Sequence, residues 1–287
     1  MIVELAKVRI TVAVSLTTAT GYLLAAHEFE WGMWLPLLGV FVLACGSAGF
    51  NQWQEREIDA RMKRTQGRPI PSGRMDPASA LFIAVLLGLL GLYCLASVNR
   101  NPKALLLLGC FAVAWYNGIY TFLKRVTAFA VIPGALIGAI PPGIGYVAAG
   151  GSLHDPEILF VGLFFFIWQI PHFWLLLLMI SSEYRAVGLP TVTDKFSQSQ
   201  LVRITFIWML ATAAGGLAFP ALNLVEGRLL WSFALVCASI WLAAKAVKIL
   251  AVPLVADGAP LIRRAFVQVN AFALMVTICL SLGSLGG

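Results

Sequence analysis

The sequence predicts an all-α polytopic membrane protein, with about nine transmembrane helices around a central cavity. Three observations carry that expectation. Of 287 residues, 60% are hydrophobic and only 11% are charged, with a mean hydropathy of +0.88, a balance outside that of soluble domains. The apolar residues gather into nine stretches of about 20 residues, the length that crosses a bilayer's hydrocarbon core. Lys and Arg also alternate between the intervening segments. With the N-terminus in the cytoplasm, only Arg100, Lys103 and Arg228 of the 20 basic residues fall on the outer side, as positive-inside topology requires. A miscounted span would scramble that alternation. The net charge of +7 is therefore mostly a topology signal and gives no support to nucleic-acid binding.

The spans follow in order. The first, 8–27, begins after Lys7 and Arg9. Its basic-then-apolar start mimics a signal peptide, but its length suits an uncleaved first span. The second, 33–52, carries Asn51 in its last turn, and the third and fourth cover 77–97 and 103–122. The fifth, 127–149, holds Pro133, Gly134, Gly138, Pro141, Pro142, Gly143 and Gly145. That density either loosens the helix and turns backbone groups toward a cavity, or only allows close helix packing. The sixth, 156–181, holds Gln169, Pro171 and His172, and polar groups at membrane depth usually face an interior. The last three span 202–223, 229–249 and 264–284. Residues 1–287 read as one domain. The five cysteines all fall in spans without ligand spacing and read as small apolar residues.

Chemistry is expected at two cytoplasmic loops, about 53–76 and 181–201. Asn51, Glu55 and Asp59 have spacing i, i+4, i+8, which stacks an amide and two carboxylates on one helix face. Lys63 and Arg64 follow one turn later. The carboxylates could simply pair with them. An amide adds nothing to a salt bridge, however, and is a good oxygen donor for Mg²⁺, which prefers few carboxylates plus phosphate oxygens. Arg and Lys would neutralise the rest of a diphosphate, and the apolar body would hold a lipid tail. These parts suit ionisation of an allylic diphosphate in a cavity that keeps water from the carbocation. The second loop reads Ser182-Glu183-Tyr184-Arg185, then Gly188, Pro190 and Asp194, a weak echo of the first.

The run Asn51-x-x-x-Glu55-Arg56-Glu57-Ile58-Asp59-x-x-Met62-x-Arg64-Thr65-x-x-Arg68-Pro69-Ile70-Pro71 resembles the first signature of the UbiA-type intramembrane prenyltransferases. Further segments occur in the order that family has them: Trp115-Tyr116, Tyr120-Thr121 with Lys124-Arg125, Gly138 to Gly145, Pro171-His172-Phe173-Trp174, and Glu183-Tyr184-Arg185-x-x-Gly188-Leu189-Pro190. The last two are similar to the protoheme IX farnesyltransferase (heme O synthase) branch. The resemblance implies a metal site of Asn51, Glu55, Asp59 and Glu183 for Mg²⁺. It implies catalytic roles for Asn51, Glu55, Asp59, Lys63 and Arg64, and substrate contacts from Arg68, Lys124, Arg125, His172, Tyr184 and Arg185. The chain departs from the family where Ser182 stands for an acid, where Ala130 stands for an Asn, and at Thr191-Val192-Thr193.

The implied reaction joins farnesyl diphosphate to heme B. The expected setting is a bacterial inner membrane, with the membrane lipid as surroundings and handover of product to a downstream membrane heme enzyme. Two other readings stay open. One is a UbiA-type enzyme with an aromatic or quinone-precursor acceptor. The other is a transporter using the acidic face as an ion site, against which the position of that face at the membrane edge counts.

Overall fold

The computed structural model describes residues 1–222, 224, 229–250 and 259–285. Arg228, one of the three outward charges, lies outside the described residues. A short helix α1 (Ile2–Leu5) precedes α2 (Val8–Ala26), α3 (Trp34–Arg61), α4 (Pro77–Ala96) and α5 (Pro102–Val113). After a π-helical stretch at Ala114–Tyr120 come α6 (Thr121–Leu123), α7 (Val131–Ala148) and α8 (Pro156–Ala186). The chain closes with α9 (Gln198–Ala221), α10 (Leu229–Leu250) and α11 (Ala259–Gly283). Among the described residues nine segments are long and apolar enough to cross a membrane, with the α5–α6 stretch counted as one. These are the nine expected spans.

Local chemistry marks the helix ends. Pro follows the N-cap in α4, α5 and α8, where its missing N–H is no loss. Asp76 caps α4 by accepting from the Ser79 N–H, and Ser197 and Gln200 form a reciprocal capping box on α9.

Neighbouring helices close a ring in which α2 touches α3, α7 and α11, and α8 touches α7, α9 and α11. One core cluster gathers Phe164, Phe165, Phe219 and Phe272. Another gathers Tyr22, Leu43, Leu95 and Ile144. Large apolar side chains such as Phe82, Leu107 and Phe233 stand exposed on the outside, as a lipid-facing surface allows. Cys110 and Cys237 are exposed too, while Cys45, Cys94 and Cys279 are buried.

Two helices outrun their expected spans. α3 continues to Arg61 and α8 to Ala186, so Asn51, Glu55 and Asp59 share a helix as their spacing predicts, and Glu183, Tyr184 and Arg185 sit on helix rather than loop. α7 stays helical through Pro141 and Pro142, although neither has an N–H to give the carbonyls of Ile137 and Gly138. Two of the glycines at its interface with α2 serve close contact. A Cβ on Gly145 would lie 1.9 Å from the Thr18 carbonyl oxygen, and one on Gly21 would lie 1.9 Å from that of Pro142. α2 and α7 therefore pack backbone to backbone, as small residues permit in membranes.

Candidate active site

The acidic face of α3 forms at the end of the bundle where α3 outruns its span. Asn51, Glu55 and Asp59 are 2%, 7% and 4% exposed. Buried carboxylates need partners, and each has one. Lys124 Nζ lies 2.6 Å from Glu55 Oε1 and donates to Oε2 at 2.7 Å. Arg68 donates to Asp59 Oδ2 at 2.5 Å. Asn51 donates through Nδ2 to Thr121 Oγ1 at 3.2 Å, which leaves its Oδ1 as an acceptor.

That acceptor is taken by Lys7, whose Nζ donates to Asn51 Oδ1 at 3.3 Å. Lys7 reads in the sequence only as a topology charge, yet the structure puts its ammonium against the acidic face. Its backbone is left-handed, with φ of 48°, a conformation that costs a non-glycine residue about 1–2 kcal/mol. The preceding turn is held down by Gln52, whose Nε2 donates to the carbonyls of Glu4 and Leu5 at 3.0 and 2.8 Å. Leu5 is buried against Ile70, Met75 and Ala80. Desolvation, then the neighbouring Arg68 and Lys124 charges, bring the Lys7 ammonium down to about 7, with Glu55 and Asp59 pulling the other way. Three cations thus crowd two carboxylates.

The π-helical stretch explains how Lys124 reaches Glu55. Inserted π turns re-aim side chains at functional sites. Here Asn117 donates to the Ser47 carbonyl at 3.0 Å and to Gln54 Oε1 at 3.3 Å, while Gln54 Nε2 returns a bond to the Asn117 carbonyl at 3.0 Å. Arg125 completes the clamp on the Gln54 carbonyl at 2.9 Å, so it braces α3 rather than meeting a carboxylate. Below the ions lies an aromatic wall. The Lys124 ammonium sits 5.6 Å from the Tyr120 ring centre, Tyr120 stacks on Tyr116 at 5.8 Å, and Phe173 follows at 6.0 Å.

The remaining expected residues are placed differently. Lys63 and Arg64 are exposed beyond the end of α3, and no ion pair among the described residues uses their side chains. The Arg64 N–H donates to Glu183 Oε2 at 3.1 Å, which ties α8 to the acidic helix. Tyr184 packs with Ile58, Met62 and Leu189. Arg185 pairs with Asp194 at 3.0 Å and donates to Thr193. The hydroxyl hydrogen bond from Thr191 holds the Asp194 carboxyl below the usual range, with Arg185 adding to it. Among the described residues no three His, Cys, Asp or Glu side chains converge as a ready metal cage. The donor set that does converge is two carboxylates and an amide oxygen ringed by cations. It fits a metal bound together with substrate phosphates rather than an all-protein site. A groove of about 540 Å³ lies elsewhere, against Arg263 and Arg264 on α11; at the acidic face the opposite charges have closed on one another. His172 lies on α8 with Nδ1 2.7 Å from Asn270 Oδ1.

Lys7→Gln is expected to raise the KM for an allylic diphosphate about tenfold, the worth of one charge-assisted hydrogen bond. Below pH about 7 the parent's ammonium is charged and attracts the anion, and above it the neutral amine does not. The parent's KM should therefore climb with pH through 7, and the variant's should lack that rise. Parallel pH profiles in steady-state kinetics would remove Lys7 from the site.

A nine-span bundle with buried acids and ringed cations at one end is the build of an intramembrane prenyl-transfer enzyme. The UbiA prenyltransferase family profile matches residues 14–282, and the chain belongs to that family. A protoheme IX farnesyltransferase from Geobacter sulfurreducens is 37% identical over 224 residues, covering 77% of this chain and 81% of that protein. A digeranylgeranylglyceryl phosphate synthase structure superposes with a TM-score of 0.77 at 14% identity, covering 99% of this chain and 97% of the other. A UbiA homolog from Archaeoglobus fulgidus bound to GPP and Mg²⁺ gives 0.66 at 12%, covering 98% and 97%. These two show the shared fold.

Proposed function

We propose that the chain transfers the farnesyl group of farnesyl diphosphate to a vinyl group of heme B, giving heme O and diphosphate, and that residues 1–287 act as one prenyltransferase domain. The observation that carries the chemistry is the set of three cations, Lys7, Arg68 and Lys124, around the Asn51–Glu55–Asp59 face. The heme acceptor follows from the relatives named for that reaction.

Buried ion pairs add little stability but leave an uncompensated charge when one partner goes. The Glu55–Lys124 and Asp59–Arg68 pairs therefore suit exchange. With the cations turned to the diphosphate oxygens, Glu55, Asp59 and Asn51 Oδ1 would be the groups that hold Mg²⁺. That ion, when bound, neutralises charge on the leaving diphosphate. Lys7, Arg68 and Lys124 stabilise the same charge as the allylic C–O bond breaks and diphosphate leaves with the electron pair. Tyr116, Tyr120 and Phe173 offer ring faces to the developing cation and exclude water from it. The vinyl π electrons then form the new C–C bond. Water adds to the cation left on the other vinyl carbon and loses a proton, which makes the hydroxyl. No protein nucleophile is needed.

The distribution of Lys and Arg supports an N-terminus in the cytoplasm and a site on that face of a bacterial inner membrane. A product this hydrophobic suits handover to a downstream membrane heme enzyme. Purified protein incubated with heme B and C10, C15 or C20 diphosphates tests the reading by mass spectrometry. Heme O formed from the C15 donor, dependent on Mg²⁺, is expected. Prenylation of an aromatic acid or quinone precursor, with heme left unchanged, would overturn it.

A further inference from the structure

His172 is a polar residue at membrane depth that the diphosphate chemistry does not use. Its ring is walled by Trp168, Phe173 and Phe266, with centres 5.2, 5.4 and 5.0 Å away. Its polar partner comes from the far end of the chain, as Nδ1 lies 2.7 Å from Asn270 Oδ1 on α11. The orientation of that amide follows from its other bond. Asn270 Nδ2 donates to the Phe266 carbonyl at 2.6 Å, and a carbonyl only accepts, so the oxygen faces the imidazole. An amide oxygen also only accepts, so Nδ1 carries the ring proton and Nε2 keeps its lone pair. Trp168 Nε1 donates to the neighbouring Val269 carbonyl at 3.2 Å, which fixes the two helices beside the pair.

Nε2 makes no hydrogen bond among the described residues. It is also not sealed in the packing, as Gln169 Oε1 and Trp174 Nε1 are. A free imidazole lone pair between aromatic walls suits a metal. A bare ion is the wrong guest, because no second and third ligating side chains converge with it among the described residues. A metal held in a planar macrocycle brings four ligands of its own and needs one more. Its apolar faces match Trp168, Phe173 and Phe266. Phe173 also leads to Tyr120 and on to the Lys124 ammonium, so such a guest would share one aromatic wall with the diphosphate site.

We infer that Asn270 is a positioning residue that holds His172 in the Nδ1–H form, so that Nε2 ligates the iron of the porphyrin acceptor. The inference rests on the heme reading of the acceptor and deepens it. Partners of this kind typically change metal affinity 10–100-fold.

The test is a ferric heme titration of the purified protein in nanodiscs, followed at the Soret band. Binding of a non-hydrolysable farnesyl diphosphate analogue with Mg²⁺ serves as the folding control. The parent should show a ligated Soret band. His172→Ala should lose it and regain it with added imidazole. Asn270→Leu, a change that suits a membrane helix, should weaken heme binding at least tenfold and leave analogue binding alone. Asn270→Asp supplies the same acceptor and should restore affinity. Parent-like heme affinity and spectrum in Asn270→Leu, or failure of Asp to do better than Leu, would overturn the positioning role. A parent that farnesylates heme while His172→Ala keeps the parent's spectrum would overturn the iron ligand and leave the proposed reaction standing. A parent that binds no heme would remove both.

Discussion

Asp59→Asn is expected to lower turnover at least ~100-fold, the scale seen when one preorganised charge-stabilising group is removed, while the protein stays folded. The change keeps volume and removes a charge. The helix end around it does not depend on the carboxylate, because Thr65 Oγ1 and the Met62 N–H both donate to the Asp59 carbonyl at 2.9 and 3.3 Å. Arg68 loses its partner but is half-buried and can turn to water, so the penalty of an unpaired buried charge is partly relieved. Mg²⁺-dependent diphosphate binding should fall together with turnover. Glu57→Gln supplies the comparison: Glu57 is two residues away and exposed, paired with Arg56, and should leave kinetics untouched. Parent-like turnover in Asp59→Asn would end the metal-face reading of α3.

The acid set was legible because helical spacing alone puts Asn51, Glu55 and Asp59 on one face, and a run of apolar residues before them places that face at a membrane edge. Among the cations, Arg68 and Lys124 were named by the family resemblance alone, without a sign of which carboxylate each meets. Periodicity offers Lys63 and Arg64 as partners one turn on, but α3 ends at Arg61 and Met62 is extended, with ψ of 127°. The chain therefore swings the next two basic residues outward and brings Arg68 back. Lys7 gave no local signal. Its place depends on a left-handed backbone and on Gln52 holding the carbonyls of Glu4 and Leu5, contacts across more than 40 residues of sequence. Asn270 is hidden in the same way, since nothing in a run of apolar residues says which helix will face His172. The glycines of the fifth span illustrate a choice that composition leaves open. Opening a helix and packing one tightly both call for small residues, and only the facing backbone decides.

Gly145 is where that decision has its largest consequence. Gly145→Ala is expected to destabilise the protein by about 3 kcal/mol or more, the upper range for overpacking. The added methyl would lie 1.9 Å from the Thr18 carbonyl oxygen and 2.8 Å from the Tyr22 amide nitrogen. Both are backbone atoms of α2, so no side chain can turn aside to make room; the helices must separate. Separation would also lift Gly21 from Pro142, where the contact is just as close, and break the packing of Tyr22 and Ile144 in one core cluster. Gly143→Ala on the same helix provides the contrast, because its methyl would meet only the end of the Leu153 side chain at 3.3 Å. Thermal unfolding in detergent should show a clearly lower midpoint for Gly145→Ala and a small change for Gly143→Ala. Equal midpoints would mean that α2 and α7 are free to adjust. The effect should also reach the chemistry. α2 begins at Val8, directly after Lys7, so a shifted α2 carries the ammonium off Asn51, and the protein that remains folded should show the raised KM expected of Lys7→Gln.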